Sequence, residues 1–208
     1  MIKNVIFDWS GVVKDATENH VWVINEMIRR YGSNRQITLS ELRDIWEQPY
    51  MRFWNKIFPE MTLEQEKNLY KEVILNSACP SCGSCEGVVE FIRKLNSKGV
   101  SMVVLSSDLS NTILPEIRDY GLENIFDEIV TDIHDKKDEI INLIKRNNFN
   151  PKETVFIGDT NLEIEAGRIA GIKTIAVTWG FYSEDRLKLL NPDYLVHNAK
   201  ELENILLG

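Results

Sequence analysis

The chain has 208 residues, of which 43% are hydrophobic and 27% charged, a composition typical of a globular protein with one sizeable core and a small second module. The formal net charge of −8 disfavours a nucleic-acid partner, which would need a clustered basic face. No run is long enough to span a membrane, and Met1 lies directly against the first core strand, which leaves no room for a signal peptide. We therefore expect a cytoplasmic protein that binds neither nucleic acid nor a membrane.

The first part of the chain combines one strand with a long helical stretch. Residues 2–7 form an apolar, β-branched run that predicts a strand buried on both faces, and this strand ends at Asp8. Residues 17–31 have the period of a helix, and residues 38–76 show helical periods without a strand signal. The stretch is too long and too helical to belong to the sheet.

The helical stretch carries two start signals and an aromatic cluster. Thr38 and Thr62 are predicted N-caps, because an acid or an amide follows each of them by three residues. Aromatic residues recur at spacings of three and four at Trp46, Tyr50, Phe53, Trp54 and Phe58. This recurrence favours a small helical core over a cage around a substrate.

Beyond residues 77–87, a Cys/Ser/Gly/Pro segment that reads as a hinge, strands and helices alternate. The predicted strands are residues 100–105, 129–130, 154–157, 174–177 and 194–196, and the predicted helices include residues 88–97, 111–120 and 136–147. Pro115 is expected in the first turn of its helix, where a missing amide hydrogen does no harm. Strands that alternate with crossover helices indicate an α/β fold built on a doubly wound parallel sheet.

The helical block interrupts this sheet after its first strand. We interpret it as an inserted small α-helical cap domain at residues 14–86, hinge included. The core domain is then formed by residues 1–13 and 87–208. Such a cap closes over a site and selects the substrate. A monomer and a homodimer are both expected possibilities, since an apolar cap surface and a buried cap core look alike in sequence.

The three cysteines, Cys79, Cys82 and Cys85, all lie in the hinge segment. An odd number of cysteines in a chain without a secretion signal argues against a disulfide framework. The spacing resembles part of a metal-binding run, but there is neither a fourth cysteine nor a nearby histidine. Reduced loop thiols are favoured over a metal site or a redox pair.

Polar residues follow the predicted strands, and the carboxyl ends of parallel strands meet at one edge of a sheet. They are Asp8 with Ser10, Ser106 with Ser107, the pair Lys136 and Lys137, and Asp159 with Glu163. Together they would supply a nucleophile, a hydroxyl, a cation and an acidic metal cradle. Taken singly, each also fits a structural role, as a turn cap, a loop hydroxyl, a solvated helix start or a surface acid.

Four motifs in this order, FDWSGVV, VVLSS, HDKKDEI and FIGDTNLEIEAGRIAG, resemble those of the haloacid dehalogenase (HAD) superfamily, and the resemblance covers essentially the whole chain. The inserted helices resemble the cap of its subfamily I, which includes phosphoglycolate phosphatases, β-phosphoglucomutases and phosphonatases. The resemblance implies a Mg²⁺-dependent hydrolase, most simply a phosphatase that acts on a small phosphorylated metabolite.

The resemblance also implies roles for individual residues. Asp8 would attack phosphorus and form an aspartyl-phosphate. Ser106, with Ser107 beside it, would bind the phosphoryl oxygens. Lys136, or otherwise Lys137, would neutralise charge on the nucleophile and the transferring group.

A metal site is implied by the same motifs. Asp159, with Glu163 directly or through water, would hold Mg²⁺ together with Asp8 and the backbone carbonyl of Ser10. Magnesium suits this oxygen-only set, because it keeps several waters and needs few carboxylates.

Ser10 departs from the family pattern. Phosphatases of the superfamily usually carry a second aspartate at this position, which protonates the leaving oxygen and later activates water. A serine hydroxyl cannot replace it in general acid–base work, and its absence typically costs about 10²–10⁴ in rate for a poor leaving group. The favoured interpretation is a phosphatase with an unusual substrate or modest activity.

Two alternatives remain. FDWSG resembles the DWAG form of phosphonoacetaldehyde hydrolases, in which Lys56 of the cap would form a Schiff base if it were desolvated. The other alternative is a non-catalytic protein that binds a phosphorylated ligand. In each case Arg43, Arg52 and Lys56 are the cap residues predicted to contact the substrate.

Overall fold

Within residues 1–48, 50–76, 81–133 and 135–208, which a computed structural model describes, the chain forms one six-stranded parallel sheet. The strands are β1 (Asn4–Phe7), β2 (Ser101–Leu105), β3 (Glu128–Val130), β4 (Thr154–Gly158), β5 (Lys173–Val177) and β6 (Tyr194–Val196). Their order is β3-β2-β1-β4-β5-β6, so the winding reverses beside β1. The predicted doubly wound sheet is confirmed, and ligands bind in such sheets near the point of reversal.

Helices cover both faces of the sheet and fill the interval between β1 and β2. They are α1 (Thr17–Arg30), α2 (Leu39–Ile45), α3 (Met51–Ile57), α4 (Leu63–Asn76), α5 (Val88–Ser97), α6 (Ser110–Asp119), α7 (Lys136–Arg146), α8 (Asn161–Ala170), α9 (Glu184–Leu189) and α10 (Ala199–Leu207). We call α1 to α4 the helical segment. It occupies the place predicted for the cap, whose boundaries as a separate domain stay a prediction.

The predicted starts of α2 and α4 are confirmed by their hydrogen bonds. The side chain of Thr38 accepts from the backbone N–H of Glu41 at 3.2 Å. Thr62 and Gln65 form a reciprocal pair, in which each side chain accepts from the other residue's backbone N–H. These bonds satisfy amide groups that have no partner within the helix.

Both faces of the sheet are apolar. Successive side chains from Val5 to Phe7 of β1 point to opposite faces, and each of them packs into an apolar cluster. Val5 and Phe7 pack into one cluster, which includes residues of α5, α6 and α10. Ile6 packs into another, together with residues of α7 and α8. Because both faces are buried, the strands read as continuous apolar runs.

The aromatic residues of the helical segment form a core. Trp46, Phe53 and Trp54 are buried in one cluster, and Tyr50 and Phe58 pack against it. The same cluster includes residues of the α/β part, among them Ile164, Phe181 and Leu187. The segment is therefore seated on the sheet domain through apolar contact.

Pro115 does not lie where the sequence predicts. It is the sixth residue of α6, beyond the first turn, although proline removes a helical hydrogen bond there. Ile113 and Ile117 on either side are buried in the core, and this packing outweighs the local cost.

Of the three cysteines, Cys79 lies outside the described residues, as do residues 77–80 of the predicted hinge. Burial raises the pKa of the Cys85 thiol to about 12. A thiol with such a high pKa is poorly reactive. None of the helices within the described ranges is long and apolar enough to cross a membrane.

Candidate active site

Asp8 lies at the carboxyl end of β1, between the ends of β2 and β4. Its backbone N–H donates to the carbonyl of Ile157 at 3.0 Å, which continues the pairing with β4. The residue is 8% exposed. Its Oδ1 accepts a hydrogen bond from Nζ of Lys136 at 2.7 Å. The carboxylate is thus held at the edge of the sheet where the strand order reverses.

The first two residues of α7 are both lysines, and the structure separates them. Lys136 is 2% exposed, and its Nζ donates to Asp8 and to Oε1 of Glu163, each at 2.7 Å. Lys137 points to the exposed surface, where it pairs with Glu165 at 2.9 Å. Lys136 is therefore the lysine that contacts the acidic cluster.

Glu163 closes the first turn of α8 and binds the buried lysine. Its Oε2 accepts from the backbone N–H of Thr160 at 3.1 Å and from the Thr160 hydroxyl at 2.7 Å. The side chain of Thr160 in turn accepts from the helix, which completes a capping box. Since Oε1 accepts from Lys136, both carboxylate oxygens of Glu163 have donors.

Asp159 is fully buried between two glycines. Its Oδ2 accepts from the backbone N–H of Phe181 at 2.6 Å, whereas Oδ1 has no hydrogen-bond partner among the described residues. A Cβ at Gly11, where φ is +85°, would lie 2.4 Å from Oδ2, and one at Gly180 would lie 2.1 Å from it. Only glycine leaves room for this carboxylate.

Asp8, Asp159 and Glu163 together fit a metal ion. Each offers an oxygen, and these atoms lie within 4.8 Å of one another, all of them buried. Oδ1 of Asp159 has no hydrogen-bond partner in the described ranges, and a buried carboxylate oxygen in that state is costly unless a cation or a donor reaches it. Carboxylate oxygens are the ligands of hard cations such as Mg²⁺.

Burial and mutual repulsion perturb the pKa values of the cluster. Burial raises the pKa of Asp8 to about 7, although Lys136 opposes this shift. Burial and the charges of Asp8 and Glu163 raise the pKa of Asp159. For Glu163, attraction and hydrogen bonding from Lys136 overcome burial and lower the pKa. The pKa of Lys136 rises, because its two carboxylate partners outweigh its burial.

The two serines after β2 have different surroundings. Ser106 is 1% exposed, and its Oγ accepts from the backbone N–H of Asp108 at 3.1 Å. Ser107 is half-buried, and its hydroxyl donates to the carbonyl of Ile133 at 2.7 Å. Ser107 therefore stabilises a loop, whereas Ser106 lies beside the end of β1.

Asp108 is a residue of the site that sequence reasoning missed. Its Oδ2 accepts from the hydroxyl of Ser10 at 2.6 Å, and its charge acts on Asp8 and His20. The available signal was its position two residues after Ser106, at the end of a strand. Burial lowers the pKa of His20 although the Asp108 charge opposes this shift, and the His20 ring packs edge-on against that of Trp46.

The predicted cap contacts lie outside the hydrogen-bonded cluster. Arg52 is exposed, and Lys56 is exposed on α3 and paired with Glu47. Arg43 instead donates to the backbone carbonyls of Trp179 and Gly180.

The strand order defines an α/β protein, and the buried acidic cluster lies at the carboxyl ends of its strands, where ligands bind in such sheets. The profile of the haloacid dehalogenase-like hydrolases matches residues 5–177. The chain therefore belongs to that hydrolase family, as its motifs predict.

Curated relatives extend the comparison. A phosphoglycolate phosphatase of Synechococcus elongatus is 26% identical over 95% of this chain and 94% of its own. A pyrophosphatase PpaX of Halalkalibacterium halodurans is 29% identical over 58% of each chain. Among solved structures, a predicted phosphatase of Clostridium acetobutylicum superposes with a TM-score of 0.81 at 22% identity, over 100% of this chain and 99% of that one. This last likeness concerns the fold alone.

Proposed function

We propose that the protein is a Mg²⁺-dependent phosphatase that hydrolyses a small phosphorylated metabolite through an aspartyl-phosphate on Asp8. The observation that supports this proposal most directly is the buried Asp8 carboxylate, which Lys136 holds in the same acidic cluster as Asp159, whose Oδ1 has no hydrogen-bond partner within the described part of the chain. Relatives named phosphoglycolate phosphatase and pyrophosphatase support phosphoryl chemistry.

The nucleophilic step belongs to Asp8. An oxygen of its carboxylate forms a bond to phosphorus while the bond from phosphorus to the leaving oxygen breaks. Water then hydrolyses the acyl phosphate, which releases phosphate and restores the carboxylate. Lys136 stabilises negative charge on the Asp8 carboxylate and on the transferring phosphoryl group. The Ser106 hydroxyl binds a phosphoryl oxygen.

Asp8, Asp159 and the backbone carbonyl of Ser10 would hold the Mg²⁺ ion. Glu163 would act through water or through Lys136, because both its oxygens already accept hydrogen bonds. When bound, the ion would supply positive charge that neutralises the phosphoryl oxygens.

The nature of the leaving group follows from Ser10. The Ser10 hydroxyl has no change of protonation near neutral pH, so it cannot act as the acid that a poor alkoxide leaving group requires. Acyl phosphates and phosphoanhydrides release a carboxylate or a phosphate, which are stable anions and need less help from a general acid. The substrate class we favour is therefore an activated phosphate, and the pyrophosphatase name of one relative is consistent with it.

A hydrolysis screen with and without Mg²⁺ tests this proposal. It compares acetyl phosphate, pyrophosphate, p-nitrophenyl phosphate, a panel of sugar phosphates and phosphonoacetaldehyde. We expect turnover of the activated substrates and little turnover of sugar phosphates. Efficient hydrolysis of sugar phosphates would show that another group supplies the proton and that our account of Ser10 is wrong.

The two alternatives give different results in the same screen. A phosphonoacetaldehyde hydrolase would form a Schiff base that borohydride traps, but its candidate amine, Lys56, is exposed and ion-paired with Glu47. A non-catalytic binding protein would bind phosphorylated ligands and hydrolyse none of them. A cytoplasmic location and a monomeric or homodimeric state remain part of the proposal.

A further inference from the structure

The loop that follows β5 contacts one of the acidic residues of the site. The backbone N–H of Phe181 donates to Oδ2 of Asp159 at 2.6 Å. Gly180, the preceding residue, lies so close that an added Cβ would be 2.1 Å from the same oxygen. A shift of this loop therefore displaces the Asp159 carboxylate or removes the donor from its Oδ2.

Arg43 of α2 holds this loop from the other side. Its Nε donates to the carbonyl of Gly180 at 2.9 Å, and its Nη2 donates to that of Trp179 at 2.8 Å. The backbone carbonyl of Arg43 accepts from the N–H of Ser183 at 3.2 Å and from Nη1 of Arg186 at 2.9 Å. One residue of the helical segment thus contacts the loop before and after Phe181.

Aromatic packing fixes the side chain of Phe181 in the same contact. The ring of Trp46, directly after α2, stacks on it with centroids 5.5 Å apart. The ring of His20 meets it edge-on at 5.1 Å. Phe181 is only 6% exposed, so its backbone N–H has little freedom to leave Asp159.

We propose that Arg43 is a positioning residue for the metal site: by holding the loop at residues 179–183, it keeps the Phe181 donor on Oδ2 of Asp159 and leaves Oδ1 for the cation. This inference rests on the proposed function, in which Asp159 binds Mg²⁺. Hydrogen-bond partners of metal ligands typically change metal affinity by about 10–100-fold when they are removed.

The geometry of Arg43 makes the role specific to arginine. A planar guanidinium can donate to two carbonyls at once in a fixed orientation, whereas a lysine ammonium is a point charge on a flexible stem. The contact also ties the metal site to the helical segment, because α2 belongs to that segment. A movement of the segment that breaks the Arg43 contact thereby lowers the affinity for the metal.

Metal binding by Arg43→Ala and Arg43→Lys tests the inference without turnover. Mn²⁺ is titrated into the full chain in the absence of substrate, free Mn²⁺ is followed by its electron paramagnetic resonance signal, and Mg²⁺ is added as a competitor. Arg52→Ala on α3 is the matched control, since Arg52 is exposed. We expect the Kd for Mn²⁺ to rise about 10-fold or more in Arg43→Ala, less in Arg43→Lys, and not in Arg52→Ala.

Steady-state kinetics separate positioning from a catalytic role. If hydrolysis is found, kcat at saturating metal should stay close to that of the wild type, while the metal concentration for half-maximal rate rises. An unchanged Kd in a variant with a native circular dichroism spectrum would overturn the inference, as would equal weakening in Arg52→Ala. If Arg43→Ala does not fold, the Kd of Arg43→Lys for Mn²⁺ tests the inference, and a wild-type value would overturn it.

The wild-type protein distinguishes this inference from the proposed function. A wild type that binds Mn²⁺ but hydrolyses nothing would contradict the proposed function and leave the effect of Arg43 measurable. A wild type that binds neither ion would overturn both.

Discussion

The hydroxyl of Ser10 donates a hydrogen bond of 2.6 Å to Oδ2 of Asp108. The two residues are 98 positions apart and meet because they follow β1 and β2, which pair side by side. A serine thus stands where phosphatases of the family usually carry a second aspartate, and a carboxylate stands next to it. Position 10 itself carries no negative charge, but the Asp108 carboxylate accepts a hydrogen bond from its hydroxyl.

This pair determines what Ser10→Asp should do. The substitution alone places a second carboxylate beside Asp108, and the repulsion disfavours ionisation of both groups. We expect kcat for ordinary phosphomonoesters to rise more in the double variant Ser10→Asp with Asp108→Asn than in Ser10→Asp alone. Restored general acid–base catalysis can contribute up to about 10²–10⁴-fold.

The measurement is kcat on p-nitrophenyl phosphate and on a sugar phosphate at saturating Mg²⁺, with Asp108→Asn alone as the control. A rate in the double variant that is no higher than in the wild type, with metal binding preserved, contradicts our account of Ser10.

Asp8→Asn should abolish turnover of every substrate, because an amide cannot serve as the carboxylate nucleophile. The amide oxygen can still accept the hydrogen bond of Lys136, so the fold should survive. An acid quench after reaction with phosphate-labelled substrate should find label on the wild type and none on this variant. Asp119→Asn, at the exposed end of α6, serves as a control that keeps the label. Activity retained by Asp8→Asn would contradict the assignment of Asp8 as the nucleophile.

The neighbouring lysines of α7 offer a matched pair of variants. Lys136→Met leaves Asp8 and Glu163 buried without their cation, and the loss of one partner from a buried ion pair typically costs about 3–5 kcal/mol. Lys137→Met removes only an exposed pair with Glu165 and should change the free energy of unfolding little. Urea denaturation of the metal-free proteins measures both. Similar losses in the two variants would contradict the assignment of Lys136 to the site.

His20 should make the free energy of unfolding depend on pH, because it takes up a proton when the chain unfolds. Burial lowers its pKa from 6.5 to about 4, so between these values the unfolded chain binds more protons than the folded one. The free energy of unfolding therefore falls as the pH drops from 6.5 towards 4. In His20→Gln this fall should be smaller, as measured by urea denaturation at pH 5 and pH 7.5.

His197 is a control of opposite sign. Hydrogen bonds that its ring donates to the carboxylates of Glu201 and Glu184 raise its pKa, so its contribution to stability is present below pH 6.5 and is lost as the pH rises through the folded pKa. His197→Gln should therefore lose more stability than the wild type on acidification. If the free energy of unfolding of His20→Gln depends on pH as strongly as that of the wild type, the His20 ring does not take up a proton on unfolding.

Local sequence signals predicted residues for the candidate site that the structure brings close together. Asp8, Lys136 and Asp159 each stand at an element end, where strand pattern and motif order agree, and the structure brings them together. The choice between Lys136 and Lys137 needed the structure, because both fit the same helix start. Periodicity defines a helix face but not the partner that covers it.

Contacts between residues that are distant in the chain could not be predicted from the sequence. Asp108 carries no local sign that it meets Ser10, and Arg43 looks like a substrate contact although it binds backbone carbonyls 136 and 137 residues away. Pro115 was misplaced for a related reason, because buried side chains on both sides keep it within α6.

The pairing of β1 has a consequence for synthesis on the ribosome. Asn4 is in register with Ser101 on one side and with Thr154 on the other, so β1 waits longer for its second neighbour than any other inner strand of the sheet. At typical elongation rates, roughly 10 s or more separates the emergence of β1 from that of β4. During that interval the edge of β1 that later pairs with β4 stays open even after β2 has paired with the other edge, and an open strand edge can associate with other nascent chains unless a chaperone covers it.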